Sequence, residues 1–121
     1  MATDGNLKRY DLEDRTFRFA KKVREFVKRI HKSISNVEDC KQLVRASGSV
    51  GANYIEANEA ISDKDFVLRI KICRKEAKES RYFLRLLDTN SQNELEEERY
   101  LLVNEADELT KIFGSILQKS K

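Results

Sequence analysis

The fold of this 121-residue chain is decided by Gly48-Ser-Val-Gly-Ala-Asn-Tyr-Ile-Glu-Ala-Asn-Glu-Ala60 and by the segment Asp63 to Leu87 that follows it. Ser62, with Asp65 three residues later, is a helix start signal. After it, apolar and small residues recur every three or four positions, which is typical of one buried helix face. That face consists of Phe66, Ile70, Cys73, Ala77, Ser80, Leu84 and Leu87. The two segments predict antiparallel helices joined by a short turn.

The earlier of these helices has two glycines in its interior, Gly48 and Gly51. Each costs a helix about 1 kcal/mol relative to Ala, and close approach of a neighbouring backbone is the usual compensation. Ser35 with Glu38 forms a capping box that predicts where this helix begins. Its predicted buried stripe consists of Val37, Cys40, Val44, Ser47, Gly51 and Tyr54 or Ile55.

Two further amphipathic helices flank this pair. The first is predicted from about Asp11 to His31, with a buried face of Leu12, Thr16, Phe19, Ala20, Val23, Phe26, Val27 and Ile30. The last is predicted from about Glu94 to Lys119, with a buried face of Leu95, Leu102, Ala106, Leu109, Phe113 and Ile116. The sequence therefore predicts an all-α, up-down-up-down antiparallel four-helix bundle over residues 11–119, preceded by a flexible tail at residues 1–10.

The composition narrows the class of protein. The chain has no proline, 37% charged residues and no apolar run near the ~20 residues that cross a bilayer, so we expect no membrane partner. The N-terminal residues lack a signal region, which favours a cytoplasmic location. Cys40 and Cys73 lie on apolar faces and are expected to be reduced thiols. With one histidine and no paired-cysteine spacing, we predict neither a metal site nor a cofactor.

Charge alternates along the chain. The net charge is +6 for residues 8–32, −2 for 33–61, +3 for 62–88 and −3 for 89–121. Clustered Lys and Arg can neutralise nucleic-acid phosphates, although ion pairing between neighbouring helices would also explain the alternation. The candidate nucleic-acid-binding residues are Arg18, Lys21, Lys22, Lys28, Arg29 and Lys32 on the first helix and Lys71, Lys75 and Lys78 on the third.

A second set of polar residues lies on facing helices. Arg45, Ser49, Asn53 and Glu56 share one face of the second helix, and Glu76 and Glu79 share one face of the third. A two-metal bundle site would require Glu-x-x-His pairs, which the chain lacks. We interpret the six residues as a structural polar network that satisfies itself across the two helices, with a pocket for an unknown ligand as the alternative.

A third set consists of apolar residues off the predicted core faces. Phe17, Leu101, Ile112, Tyr54 and Tyr82 would mark a subunit interface if they gathered on one side. No nucleophile elbow, phosphate-binding glycine loop or Cys/His pair is present in the sequence, so we predict no catalytic residues and no enzyme.

Several strings in the sequence resemble the 23S rRNA intervening-sequence protein family of bacteria. The resemblance runs from about Phe19 to Ile116. The strings are Arg45-Ala-Ser-Gly-Ser-Val-Gly-Ala-Asn-Tyr-Ile-Glu-Ala57, Ser62-Asp-Lys-Asp-Phe66, Ile72-Cys-Arg-Lys-Glu-Ala-Lys-Glu-Ser80, Tyr82-Phe-Leu-Arg-Leu-Leu87 and Glu105-Ala-Asp-Glu-Leu-Thr-Lys-Ile112. The branch with the accessory variability protein of diversity-generating retroelements is the most similar one.

The resemblance implies a small bundle that assembles as a homo-oligomer, usually a pentamer, without established catalytic activity. It also implies RNA, DNA or a reverse transcriptase as partners. The leading interpretation is a non-enzymatic scaffold or accessory protein that binds nucleic acid through basic helix surfaces. The alternative is a structural protein–protein interaction module that does not bind nucleic acid.

Overall fold

Four α-helices follow one another along the chain. In the computed structural model, which describes the backbone of residues 4–120 and the side chains of residues 11–120, these are α1 (Asp4–Arg29), α2 (Ile34–Asn58), α3 (Asp63–Leu86) and α4 (Asn93–Lys119). Residues 4–120 contain no strand. The predicted fold class is therefore confirmed.

The short links make successive helices antiparallel neighbours. Helix α2 shares its most extensive contacts with α3, and α4 packs closely against α3. Helices α1 and α4 close the bundle with the sparsest contacts of the four neighbouring pairs. Among the described residues, the backbones of α1 and α3 do not approach each other, and neither do those of α2 and α4, so these pairs are diagonal.

Helix α1 begins earlier than predicted. It starts at Asp4, seven residues before the expected start at Asp11. Residues 1–3 of the predicted flexible tail lie outside the described residues, as do the side chains of residues 4–10. The tail as a whole stays a prediction.

The predicted core faces of α1, α3 and α4 are confirmed. Phe19 and Phe26 of α1 and Phe113 of α4 are the largest fully buried side chains. The α3 face is buried from Ile70 to Leu87, and Phe66 packs partly buried against it. Burial of such aromatic and aliphatic side chains, at ~1.5–3 kcal/mol each, is the main stabilising contribution to the fold.

The predicted buried stripe of α2 is confirmed at Ser47 and Tyr54, but most of its other members are displaced from the core by a partial rotation about the helix axis. Its buried residues are Asn36, Leu43, Ala46, Ser47, Val50, Tyr54 and Ala57. Val37 and Ile55 are exposed, and Val44 and Cys40 lie half-buried in a groove beside α1. Small and apolar residues occupy both the face of α2 that points toward the core and the flank that points toward α1. Their spacing alone therefore does not show which of the two is buried.

The predicted start of α2 is also wrong. The N-cap is Ser33, whose side chain accepts a hydrogen bond from the amide of Asn36 at 3.2 Å. The Ser35–Glu38 capping box does not form. Asn36 is buried and donates from Nδ2 to the carbonyl of His31 at 3.1 Å, which fixes the chain before the helix in the Ser33-capped geometry. At α3, by contrast, Ser62 caps the amide of Asp65 at 3.0 Å, as predicted.

Gly51 lies where α1 comes into close contact with α2. A Cβ placed on Gly51 would lie 2.9 Å from Oγ1 and 3.3 Å from Cβ of Thr16. At Gly48 the nearest atom would be the Arg24 guanidinium at 3.1 Å, which is the end of a flexible side chain. The expected close approach therefore occurs at Gly51, and its partner is α1.

The α3–α4 link is held by side chains. Asn90 and Ser91 adopt left-handed conformations with φ of 56° and 59°. The amide of Asn90 donates to Oδ1 of Asp88 at 2.9 Å. Arg99 of α4 donates to the carbonyl of Leu87, which satisfies a backbone acceptor at the end of α3. Within residues 4–120, no helix is apolar over a length that would cross a bilayer.

Candidate nucleic-acid interface

The cations of α1 do not form one continuous stripe. Lys22 lines a groove between α1 and α4, of about 890 Å³, whose other wall carries Glu94, Glu97 and Glu98. Lys21 lines a different groove, toward α2. Lys32 lies beyond the end of α1. The predicted cations therefore do not share one side of the helix.

Acidic residues engage the two predicted arginines of α1. Arg18 pairs with Asp14 at 2.9 Å on its own helix, and Arg29 pairs with Glu98 on α4. Sequence reasoning missed a third pair, in which Arg15 donates to both carboxylate oxygens of Glu105 at 2.7 and 2.8 Å. These bonds raise the pKa of Arg15. Two arginines of α1 are therefore balanced by acids of α4.

The outward side of α3 has a different electrostatic character. Between Lys71 and Arg85 the only acids are Glu76 and Glu79, and both turn toward Arg45 on α2. Arg81 of the same stretch pairs with Asp107 on α4 at 2.9 Å. The remaining cations are exposed and form no ion pair with any residue of the described part of the chain. These residues, here named the outer basic face, are Lys71, Arg74, Lys75, Lys78 and Arg85.

The predicted polar network forms between α2 and α3, with one member left out. Arg45 donates to Oε2 of Glu76 at 3.2 Å and to Oε2 of Glu79 at 2.9 Å. Ser49 lies 3.4 Å from the same Glu76 oxygen and accepts from Asn53 Nδ2 at 2.9 Å. The structure does not bring Glu56 into the network among the described side chains.

Two features of this network were not predicted. Arg69 of α3 extends it by donating to Oδ1 of Asn53 at 3.0 Å. Glu76 is 5% exposed, and its Oε1 has no hydrogen-bond partner among the described residues. The pKa of Glu79 is lowered chiefly by the hydrogen bond with Glu76 and, to a smaller extent, by the hydrogen bond with Arg45. The arrangement fixes the register of two helices through a buried carboxyl group.

The predicted interface residues do not gather on one side. Phe17 lies in the α1–α2 groove and Leu101 in the α1–α4 groove, while Tyr82 is on α3. Ile112 packs half-buried against the core. Tyr54 is not an interface residue but the core residue that the α2 stripe allowed, because it is 5% exposed and its ring lies 5.9 Å from that of Phe113.

Both cysteines are free thiols. Burial raises the pKa of Cys73 to about 12, and its Sγ lies 3.4 Å from the carbonyl oxygen of Val50. Burial, together with the charge of Asp39, also raises the pKa of the half-buried Cys40. Neither thiol is activated as a nucleophile. Groups of three or more metal-ligating side chains are not found among the described residues.

Comparison with known proteins places the chain in a family. A solved structure from Bacteroides thetaiotaomicron, described as a protein of unknown function from the S23 ribosomal protein family, is 29% identical and superposes with a TM-score of 0.73. The match covers 87% of this chain and 96% of that one. No curated protein matches the sequence. The model of the 23S rRNA-intervening sequence protein family matches residues 8–115, and the chain therefore belongs to that family.

Proposed function

We propose that this protein is a non-enzymatic, cytoplasmic scaffold or accessory protein that binds the phosphate backbone of RNA or DNA through the outer basic face of α3. The observation that carries the proposal is the separation of charge on this helix. Five cations of the outer basic face are exposed, whereas the two acids of the same stretch face Arg45 on α2. A surface of this kind attracts polyanions without reading their sequence.

The chemistry of the face suits phosphates. Lysine is a compact point charge on a flexible stem, so it follows a backbone without demanding a fixed geometry. Each phosphate that a cation neutralises releases condensed counterions, which makes binding favourable at low salt and weak at high salt. Arg74 and Arg85 add forked donors that can bind a phosphate through two hydrogen bonds.

The lysines at positions 21 and 28 of α1 have a secondary role in this proposal. Lys21 and Lys28 are exposed, but α1 is diagonal to α3 across the bundle. One straight nucleic-acid segment therefore cannot contact both helices of one copy. Assembly into a homo-oligomer, with a pentamer as the proposed form, would align α1 surfaces from several copies.

A protein–protein interaction module that does not bind nucleic acid is the second candidate. It is supported by Phe17 and Leu101, which are 61% and 67% exposed and each lie in a groove between helices. Such apolar groups mark contact surfaces when a partner covers them. A second copy of the chain or a reverse transcriptase would be the partner in this case.

The deciding experiment measures the affinity for fluorescent RNA and DNA oligonucleotides by anisotropy between 50 and 200 mM salt. The triple variant Lys71→Gln, Lys75→Gln, Lys78→Gln should reduce the slope of log K against log salt by about two to three. The matched control Lys21→Gln, Lys22→Gln, Lys28→Gln has the same net charge and should have a smaller effect. Sedimentation velocity on the same samples reports the number of subunits.

Three outcomes would contradict the proposal. Absence of salt-dependent binding to either nucleic acid would favour the protein-interaction module. A larger loss in the α1 variant would move the interface to α1. An equal loss in both would show that net charge alone, and not the outer basic face, determines the affinity.

A further inference from the structure

We infer that the outer basic face selects unpaired nucleic acid over duplex, with Tyr82 as a stacking platform for a base. This inference rests on the proposed function and specifies the class of nucleic acid that the face takes. It is carried by the position, exposure and surroundings of Tyr82.

Tyr82 continues the row of cations along α3. Lys71, Lys75, Lys78, Tyr82 and Arg85 are separated by steps of four, three, four and three residues, so they form one ridge. At 1.5 Å per residue the ridge is about 21 Å long, with side chains about 5–6 Å apart. A flexible single strand can follow such a straight row, placing phosphates on the cations and a base at the aromatic position.

The ring of Tyr82 is available for stacking. The residue is 57% exposed, and its ring meets that of Phe83 edge-on, with centroids 5.2 Å apart and an interplanar angle of 81°. This contact holds the ring while leaving an aromatic surface toward solvent. A base inside a duplex already stacks on its neighbours, so only an unpaired base can occupy this surface.

Two exposed apolar residues extend the same side of α3. Leu68, 55% exposed, precedes Lys71 by three residues, and Leu86, 49% exposed, follows Tyr82 by four. A duplex presents phosphates and groove edges to such a surface, whereas an unpaired strand also presents apolar base faces. A face that mixes cations with an aromatic ring and apolar side chains therefore fits the unpaired strand better.

A second copy of α3 is a poorer occupant of this face. Lys75 and Lys78 precede Tyr82 by seven and four residues, and Arg85 follows it by three. Two such faces brought together would place like charges opposite one another, which is destabilising. The acidic wall of the α1–α4 groove on another copy has the opposite sign and could dock on the outer basic face. The test below detects such docking as a change in subunit number.

The test compares the affinity for an unstructured 20-nucleotide RNA with that for the duplex of the same sequence, at one salt concentration. Tyr82→Ala should weaken single-strand binding by about 5- to 160-fold, the range that base–aromatic stacking supplies, and leave duplex binding unchanged. Tyr82→Phe retains the ring and should bind as the unmodified protein does. Tyr100→Ala, at a tyrosine that is 62% exposed on α4, is the matched control and should have no effect.

The outcomes separate this inference from the proposed function. Equal affinities for both forms, with no effect of Tyr82→Ala, would overturn the inference and leave the outer basic face intact. Absence of binding to both forms would overturn both. A change in subunit number on Tyr82→Ala, seen by sedimentation velocity, would place Tyr82 in a contact between copies and would also overturn the inference.

Discussion

Asn36 holds the backbone of Asp88 through two hydrogen bonds of opposite direction. Its Nδ2 donates to the Asp88 carbonyl at 2.9 Å, and its Oδ1 accepts from the Asp88 amide at 3.0 Å. Asn36 is 1% exposed, and 52 residues separate the two positions. One buried amide therefore ties the first turn of α2 to the residues that follow α3.

Replacing Asn36 by Asp should lower the free energy of unfolding by about 2–4 kcal/mol, because the variant keeps the shape but loses both donors and buries a charge beside two carbonyl groups. Urea unfolding followed by circular dichroism measures this loss. The control Asn104→Asp is at an exposed position of α4 and should change stability by less than about 0.5 kcal/mol. Equal stabilities for the two variants would show that the hydrogen bonds to Asp88 contribute little.

The two α2 glycines should respond in opposite directions to substitution by Ala. At Gly51 the new Cβ would lie 2.9 Å from Thr16 Oγ1, which is held by its hydrogen bond to the Leu12 carbonyl at 2.8 Å. We expect a net loss of about 1–3 kcal/mol there, since overpacking outweighs the gain in helix propensity. At Gly48 only the end of Arg24 must move, so Ala should stabilise by up to about 1 kcal/mol. Thermal unfolding of both variants checks the difference in sign.

Acid should weaken the α2–α3 network through Glu79. The hydrogen bond with Glu76 and the guanidinium of Arg45 lower the pKa of Glu79 from its ordinary value of 4.5. A lowered pKa in the folded state gives stability that is present above pH 4.5 and lost as the pH falls through the folded-state pKa. Because Glu79 is partly exposed, we expect Glu79→Gln to cost less than about 1 kcal/mol at pH 7 and to flatten the acid decline.

The check on Glu79 is urea unfolding at several pH values between 7 and 3. Glu56→Gln provides the matched control. Glu56 is exposed on α2, the helix that carries Arg45, but it lies outside the network. An acid decline as steep in Glu79→Gln as in the unmodified protein would assign the pH dependence to other carboxylates.

The two thiols should differ in accessibility while both react slowly at neutral pH. Burial raises the pKa of Cys73 to about 12, so its thiolate forms only when the chain opens. Cys40 is half-buried and should be alkylated first, still more slowly than a free thiol, because its pKa is also raised. Iodoacetamide labelling read by mass spectrometry, with and without urea, measures both rates. Labelling of Cys73 in the native protein as fast as in urea would contradict its burial.

Periodicity predicted the four helices and three of the four buried faces because Phe and Leu at steps of three and four leave one orientation for α1, α3 and α4. It failed on α2, where Ala, Ser and Gly allow two neighbouring orientations. The polar network was predictable because Arg45, Ser49 and Asn53 share one helix flank. The bond between Asn36 and Asp88 was not, since nothing in the local sequence indicates which distant carbonyl a single Asn will reach.

The division of the α1 cations between neighbouring helices likewise could not be predicted from the sequence alone. Lys21 and Lys22 are adjacent in sequence, yet a 100° step between successive residues turns them toward different neighbouring helices. Whether a cation is neutralised depends on which helix it meets. The partners of Arg15 and Arg29, Glu105 and Glu98, are both on α4, far away in sequence.

The diagonal placement of α1 and α3 makes the bundle an electric quadrupole with a small net charge superimposed on it. Its positive corners are separated by the acidic segments, which carry −2 in residues 33–61 and −3 in residues 89–121. The field of a quadrupole decays faster with distance than that of a net charge, and the screening length at physiological salt is only about 8 Å. That length is shorter than the ~10–12 Å diameter of one helix, so an incoming polyanion is oriented by whichever positive corner it meets first.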